Sequence, residues 1–267
     1  MNRSDFQKIQ LPLDRNMFMD LFHSAEFELT GKGRLGNHLV KVEGKDISIV
    51  RTTTRYHIPA AAFSEIHEKL IEQINATLLS ENTEIPVQYF DNALIEVYDS
   101  TYSKMGFHSD QALDLESNSF IGLFSCYEQP DELEDFQLRK LVVKDKLTDE
   151  EFEIILHHNS VILFSVETNR KFQHKIVLNT APNPKKAAND NKWLGITFRK
   201  SKISVQFNNE KPYFPSGEVL TLADKEQESE FFKLRGQENR SLDFVYPPLL
   251  YTISPGDMIP PVEKKNI

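Results

Sequence analysis

The feature that most constrains this chain is a His-x-Asp pair, His108 and Asp110, with a distant third candidate ligand at His174. Side chains at positions i and i+2 of an extended segment project to the same side of that segment. An imidazole from a neighbouring strand can therefore complete one face of a metal octahedron with them. The pattern predicts a fold that places two sequence-distant extended segments side by side.

By itself the His-x-Asp spacing is a weak signal, because a chain with 8 His and 40 acidic residues will often contain such a pair by chance. A structural salt bridge between His108 and Asp110 is the alternative interpretation. His157 and His158 are possible competitors of His174. They precede an apolar run, and we expect them at the surface or behind the ligands.

Three sequence blocks favour the metal-binding interpretation. They are residues 90–98 with 103–110 (FDNALIEVY and SKMGFHSD), residues 158–174 (HNSVILFSVETNRKFQH) and residues 195–199 (GITFR). In this order they resemble the AlkB family of 2-oxoglutarate-dependent Fe(II) dioxygenases, in which F-N-x-x-L-x-N-x-Y precedes H-x-D and an N-x-T-x-R strand closes the core. The resemblance leaves the first third and the last quarter of the chain uncovered.

The resemblance implies that His108, Asp110 and His174 bind Fe(II) and that Tyr98 and Arg199 contact the cosubstrate 2-oxoglutarate. A core tyrosine and a solvated charge are the alternative roles for the last two residues. The implied enzyme uses molecular oxygen, cleaves 2-oxoglutarate to succinate and carbon dioxide, and hydroxylates a C–H bond. If that carbon is an N-methyl group, the product collapses to formaldehyde and a demethylated nitrogen.

Three positions depart from the family pattern. Glu96, Trp193 and Gly195 stand where the family has Asn, Arg and Asn. The absent Arg is the one expected to pair with the distal carboxylate of 2-oxoglutarate, and Lys192 and Arg199 are its candidate replacements. Glu96 would repel an anionic cosubstrate. We therefore expect Glu96 to point elsewhere, to hold Lys104 or another base, or to mark a different substrate.

The most specific function implied is oxidative demethylation of an N-alkylated base in DNA or RNA. Arg51, Thr53 and Tyr56 resemble the substrate-lid strand of AlkB-like proteins, where an aromatic ring can stack on an extruded base. That similarity is short, and purely structural roles are the alternative. The other functions left open are a 2-oxoglutarate oxygenase acting on a protein side chain or small molecule, and a catalytically degenerate binding module.

The net charge of −9 argues against indiscriminate DNA binding, but the charge is unevenly distributed. Residues 31–57 contain six Lys and Arg against two acidic residues, and residues 168–203 contain nine against one. A basic rim on an acidic body suits a phosphate-backbone ligand. A solvated lysine-rich loop between residues 182 and 192 explains part of the pattern equally well.

Apolar runs with short polar breaks predict a β-rich α+β fold, a double-stranded β-helix (jelly roll) with flanking helices. The expected strands are residues 93–98, 105–108, 120–124, 136–143, 152–156, 161–164, 171–178 and 194–198. Helices are expected at residues 14–27, from Pro59 through the apolar stripe of residues 63–78, and at residues 222–235. We expect residues 1–85 to form helices and lid strands packed on the barrel, 86–203 the catalytic core, and 204–267 an extension wrapping the same domain.

Composition points to a cytoplasmic protein. The single cysteine, Cys126, lies in an apolar run and is expected to be a buried, unreactive thiol. No stretch approaches 18 consecutive apolar residues, and the first residues lack the apolar run of a signal peptide. We expect no membrane association, a monomer, and as partners oxygen, 2-oxoglutarate and an alkylated nucleic acid.

The missing family arginine generates a prediction. A distal carboxylate in a dry barrel needs a cationic partner. Arg199 shares strand parity with Trp193, so we expect Arg199→Ala to raise the 2-oxoglutarate requirement by about tenfold, roughly 1.4 kcal/mol. Lys192→Ala should have a much smaller effect in the same titration of succinate formation. The reverse order would make Lys192 the clamp.

Overall fold

The structure, a computed structural model, describes residues 5–103, 105–179 and 191–263. Within these residues the α-helices are α1 (Phe18–His23), α2 (Glu65–Ser80), α3 (Val166–Lys171) and α4 (Lys225–Arg240). The strands are β1 (Gln7–Gln10), β2 (Glu28–Gly31), β3 (Arg34–Val40), β4 (Val42–Glu43), β5 (Asp46–Ser48), β6 (Ala61–Ala62), β7 (Asn92–Tyr98), β8 (Phe120–Tyr127), β9 (Arg139–Asp145), β10 (Glu151–Leu156), β11 (Ser160–Ser165), β12 (Phe172–Leu178), β13 (Trp193–Arg199), β14 (Ser204–Asn208), β15 (Lys211–Tyr213), β16 (Thr221–Leu222) and β17 (Tyr251–Thr252).

Two packed sheets form the centre of the molecule. The larger one has the strand order β1-β11-β8-β13-β7-β3-β2, with β6 beside β3, and the smaller one has the order β10-β9-β12. Side chains from both sheets share one buried apolar cluster. A four-stranded sheet, β15-β14-β5-β4, and the parallel pair β16-β17 lie apart from these two. The predicted jelly roll with flanking helices is confirmed.

The alternation of side chains along β7 explains how the larger sheet separates core from cavity. Ala93, Ile95 and Val97 belong to the apolar cluster shared with α1 and α2. The intervening residues Glu96 and Tyr98 project to the opposite face, where they line a cavity. One face of the sheet is thus covered by helices, and the other face is free to carry polar chemistry.

Three helices have boundaries that differ from the sequence-based expectation. The predicted start of the second helix at Pro59 is wrong, because Ala61 and Ala62 pair with β3 as a short strand. α2 starts at Glu65, where Ser64 and His67 form a capping box. The first helix is also shorter than residues 14–27, and the C-terminal helix runs five residues beyond Arg235.

The expected strand at residues 105–108 is not a strand. Only His108 makes a ladder contact, a single antiparallel bridge to His174. The next backbone amides are bound by side chains instead: Ser109 N donates to Asn239 Oδ1 and Asp110 N to Asn169 Oδ1. The segment is extended because side chains hold it, and periodicity cannot reveal that.

The segments outside the resemblance are integrated with the sheets. Four strands of the first third, β1, β2, β3 and β6, belong to the larger sheet. Cys126 is fully buried, as expected. Among the described residues, none of the helices is long and apolar enough to cross a membrane. The division into three segments at residues 85 and 203 stays a prediction.

Helix α4 supports the His-x-Asp segment from outside the sheets. Arg235 Nη2 donates to the carbonyl of Ser109, and Asn239 Oδ1 accepts from the amide of the same residue. Glu238 Oε1 accepts from Ala112 N (2.8 Å) while its Oε2 accepts from Arg235 Nη1 (2.6 Å). The three helix side chains of this contact are buried or half-buried. One helix of the C-terminal segment therefore fixes the backbone on both sides of Asp110.

We expect Glu238→Ala to destabilise the protein by about 3–5 kcal/mol, because it leaves the buried Arg235 guanidinium without its carboxylate and Ala112 N without an acceptor. Glu228→Ala is the matched control on the same helix. Glu228 pairs with Arg55 where both side chains are about one-third or more exposed, so its loss should cost at most about 1 kcal/mol. Urea unfolding of both variants measures the difference, and equal losses would contradict the assignment.

Candidate metal and cosubstrate site

His108, Asp110 and His174 converge at one point of the cavity face. One ligand atom from each lies within 4.8 Å of the others. His108 and His174 exchange both backbone hydrogen bonds, at 3.0 and 2.7 Å, which places their rings 4.8 Å apart. Asp110 Oδ1 lies 3.5 Å from His174 Nε2. The His-x-Asp segment and β12 thus present two imidazoles and one carboxylate on the same side. This is the facial donor set of a non-haem iron site.

Both backbone polar groups of Asp110, its amide and its carbonyl, form hydrogen bonds with the side chain of Asn169 on α3. Asn169 Oδ1 accepts from Asp110 N (2.7 Å), and its Nδ2 donates to Asp110 O (2.8 Å). Ser109 Oγ donates to the carbonyl of Phe172, the first residue of β12. These contacts tie the His-x-Asp segment to the strand that carries His174. The geometry of the cluster is therefore set before any metal binds.

The ring orientation of His108 is also fixed. Its Nδ1–H donates to Gly106 O at 3.0 Å, since a carbonyl can only accept. This leaves the Nε2 lone pair for a ligand. Burial, and then repulsion from His174, lower the pKa of His108 to about 3. The neutral imidazole required for metal binding is thus the stable form.

Arg199 and Asp110 form a buried ion pair. Arg199 Nε and Nη2 donate to Asp110 Oδ2 at 3.1 and 2.9 Å. Burial alone would raise the pKa of the Asp110 carboxyl, but the Arg199 guanidinium and the His174 ring lower it well below its usual range. Asp110 is consequently a carboxylate, with Oδ2 on Arg199 and Oδ1 facing His174.

Arg199 has an unused donor in the cavity. Its Nη1 is buried and has no hydrogen-bond partner within the described part of the chain. Arg199 also lines the cavity beside the ligand cluster. An unsatisfied buried donor on a guanidinium indicates a place for an anionic acceptor. A carboxylate of 2-oxoglutarate fits this position.

The cavity over the cluster has a volume of about 330 Å³. Its wall is part apolar and part polar, with the additional residues Leu94, Leu123, Leu141, Phe164, Ile176, Tyr102, Thr52, Thr53, Thr54 and Thr197. Such a volume suits a small dicarboxylate with part of a larger substrate. Donor chemistry, the orphan donor and cavity size all fit bound Fe(II) and 2-oxoglutarate.

Glu96 is held by a base, one of the outcomes expected for it. Its Oε1 accepts from Arg34 Nε and Nη2 at 2.6 and 2.5 Å, and its Oε2 accepts from Tyr98 Oη at 2.8 Å. The base is thus Arg34; Lys104 lies outside the described residues. Tyr98 lines the cavity and its hydroxyl donates to Glu96, while its contact with 2-oxoglutarate stays a prediction.

The departures at Trp193 and Gly195 are a single structural change. The Trp193 indole lies over Gly195, so that a Cβ at position 195 would overlap it. Trp193 Nε1 donates to Ser125 Oγ at 2.7 Å, and the ring packs 4.8 Å from that of Tyr98. The indole fills the space through which an arginine side chain at position 193 would extend. It fits there only because residue 195 is glycine.

Three of the other candidate residues lie away from the cavity. Lys192 is 41% exposed in its side chain and lies 3.5 Å from Glu128. His157 bonds Lys8 and His158 accepts from Tyr127 N, so neither reaches the ligand cluster.

Of the three suggested lid residues, one lies at the cavity and two lie away from it. Thr53 lines the cavity. Arg51 is buried, pairs with Asp114 and donates to the carbonyls of Leu249 and Tyr251. Tyr56 is also buried, with its ring 4.7 Å from His38. Of these three, the structure brings only Thr53 to the cavity.

Sequence reasoning missed the residues that support the site from elsewhere. Arg34, Asn169 and Arg235 lie near the ligands only through tertiary packing. Asn169 falls inside the second sequence block and could have been noticed there. Arg34 and Arg235 carry no local signal beyond being cations.

A comparison with protein families agrees with this geometry. A family model described as the 2OG-Fe(II) oxygenase superfamily matches residues 35–199. A solved structure of OsALKBH1 is similar at 16% sequence identity, with a TM-score of 0.49, and the alignment covers 75% of this chain and 100% of that one. No curated protein matches. The family match spans more than half of the chain and includes His108, Asp110, His174 and Arg199. This chain belongs to the 2OG-Fe(II) oxygenase superfamily, whose dioxygenases use Fe(II) and 2-oxoglutarate.

Proposed function

We propose that this dioxygenase demethylates an N-alkylated base in DNA or RNA, using His108, Asp110 and His174 to hold Fe(II). The observation that carries the reaction class is the ligand cluster at the wall of a cavity that also contains an orphan guanidinium donor. Support for the substrate is the resemblance of the three sequence blocks to the AlkB family. The position of Thr53 in the cavity wall agrees with a substrate side formed by residues 52–54.

The residues around the cavity have separate roles in the proposed reaction. Iron and 2-oxoglutarate, when bound, supply the oxidation of a C–H bond to an alcohol, with oxygen consumed and succinate and carbon dioxide released. His108, Asp110 and His174 would hold the metal through two imidazoles and one carboxylate, the donor set with which non-haem iron oxygenases keep positions for other ligands. Arg199 keeps Asp110 ionised and offers Nη1 to a cosubstrate carboxylate. The apolar wall at Phe164 limits water around the reacting carbon.

A second candidate, a protein side chain or small metabolite as substrate, is favoured by the pairing of the basic residues. In the segment 31–57, four of the six cations form ion pairs with carboxylates: Arg34, Lys41, Arg51 and Arg55. In the segment 168–203 the same holds for Lys171, Lys192, Arg199 and Lys200. Lys185, Lys186 and the loop proposed around them lie outside the described residues. The basic rim is therefore less available to phosphates than the sequence indicates.

We expect Fe(II)-dependent succinate formation from 2-oxoglutarate, and its loss in His108→Ala and Asp110→Ala. The control is His157→Ala, which removes a histidine that lies outside the cavity and should leave turnover unchanged. Mass-spectrometric detection of succinate measures all four proteins. Iron-loaded protein that neither binds 2-oxoglutarate nor forms succinate would establish the degenerate binding module instead.

The substrate is tested by incubating the iron-loaded enzyme with oligonucleotides that carry N-methyladenine or N-methylcytosine and following loss of the methyl group by mass spectrometry. Binding to nucleic acid should weaken as salt rises and should weaken further in Lys185→Gln with Lys186→Gln, because fewer phosphate contacts release fewer counterions. Active succinate formation without demethylation, together with salt-independent binding, would select the protein or small-molecule substrate.

A further inference from the structure

Arg199 serves the end of the cavity nearest the metal ligands. Two of its nitrogens donate hydrogen bonds to Asp110, which is itself one of the ligand residues. Its Nη1 is buried without a partner among the described residues, and Arg199 lines the same cavity as the ligand cluster. An anionic acceptor for this donor would lie at the end of the cavity that contains the cluster. The distal carboxylate of a five-carbon dicarboxylate extends away from that point and needs a second cation.

The strand register identifies where a second cation lies. β7 is paired on both sides, and Tyr98 is directly opposite Trp193 on β13 and directly opposite Arg34 on β3. The position that resembles the family's arginine is Trp193. Arg34 stands at the same level of the sheet, on the other neighbour of Tyr98. Arg199 is opposite Asn92, six residues along β7, so the two arginines approach the cavity from opposite ends, with backbones offset by about 20 Å.

Arg34 is fixed in place by its turn and by its partner. Gly33, at φ +70°, accepts from Asp99 N through its carbonyl at 3.1 Å, which ties the β2–β3 turn to the end of β7. The Arg34 side chain is 20% exposed and lines the cavity. Its Nε and Nη2 both contact a single oxygen of Glu96, which leaves donors of the five-donor guanidinium for another acceptor.

Two guanidinium groups lie close to Tyr98. Arg34 pairs with Glu96. Arg139 is buried, 5.0 Å from the Tyr98 ring, and donates to the carbonyls of Asp99 and Tyr102. The carboxylate of Asp99 interacts electrostatically with Arg139. Since Arg34 is the one of these two guanidinium groups that lines the cavity, its unused donors are the ones that an anion bound there can reach.

We propose that Arg34 holds the distal carboxylate of 2-oxoglutarate, so that the cation absent from position 193 of β13 is supplied from β3. Glu96 and Tyr98 position the Arg34 guanidinium, and Trp193 closes the space on the opposite side. The proposal rests on 2-oxoglutarate being the cosubstrate, as the family match implies, and is independent of whether nucleic acid is the substrate. It replaces Lys192 and Arg199 as the distal clamp and leaves Arg199 with the metal-side carboxylate.

The test is a binding measurement in which no turnover occurs. Protein loaded with Mn(II) is titrated with 2-oxoglutarate and, separately, with 2-oxopentanoate, which has the same chain length but no distal carboxylate. The fluorescence of Trp193, the one tryptophan in the chain, reports binding because its ring packs on Tyr98. Calorimetry gives the same dissociation constants independently. The variants are Arg34→Gln, Glu96→Gln and Arg199→Gln, with Arg15→Gln as the control at an exposed surface arginine.

Each variant has a distinct expected result. Arg34→Gln should weaken 2-oxoglutarate by at least about tenfold and leave 2-oxopentanoate unchanged, the loss expected for one charge-assisted contact. Glu96→Gln should tighten 2-oxoglutarate, because it removes a negative charge and releases donors of Arg34. Arg199→Gln should weaken both ligands, and Arg15→Gln neither.

A purely structural role for Arg34 would weaken both ligands equally, and that result overturns the proposal. So does an Arg34→Gln variant that still distinguishes the two ligands as the wild type does. If Arg34→Gln misfolds because Glu96 is left without its cation, the double variant Arg34→Gln with Glu96→Gln replaces it, and the same loss of discrimination is expected. No nucleic acid is present, so a failure to demethylate oligonucleotides has no bearing on the outcome.

Discussion

The buried ion pair between Arg199 and Asp110 is the interaction on which the site depends. It joins the middle of the larger sheet to a segment that belongs to neither sheet. Breaking such a pair costs about 3–5 kcal/mol, because it leaves an uncompensated buried charge. The same pair keeps Asp110 ionised and directs its free oxygen toward His174. Folding and ligand geometry are therefore coupled through one contact.

Around Tyr98, two strands place different side chains at the same level of the larger sheet. The indole at Trp193 requires glycine at Gly195, and position 193 carries no cation. The adjacent strand β3 offers Arg34 at the same level. Since both strands flank β7, a side chain from either can reach the same end of the cavity. The register of the sheet, more than the amino acid at any one position, determines which cationic side chains can reach this end of the cavity.

The C-terminal segment takes part in the site although it lies outside the family match. Helix α4 binds the backbone of Ser109 and Ala112 through Arg235, Glu238 and Asn239. A segment that is held by side chains from two helices has few ways to move. The ligand residue Asp110 is thereby positioned with little help from strand pairing. This arrangement gives residues 225–240 a role in positioning the ligand segment.

In the sequence alone, three blocks resembled one oxygenase family, and that resemblance implied the grouping of His108, Asp110 and His174. The apolar runs with short polar breaks predicted the jelly roll independently. The sequence also marked Glu96 as a departure from the family, with a basic partner as one of three outcomes left open. Only the tertiary structure decided that the base is Arg34, that Arg199 is engaged by Asp110, and that most cations of the basic segments are neutralised. Those outcomes depend on which strands are neighbours and on which charges meet after folding. Pairing between distant segments leaves no trace in local periodicity. The pairing partners therefore cannot be inferred from the sequence of any one segment.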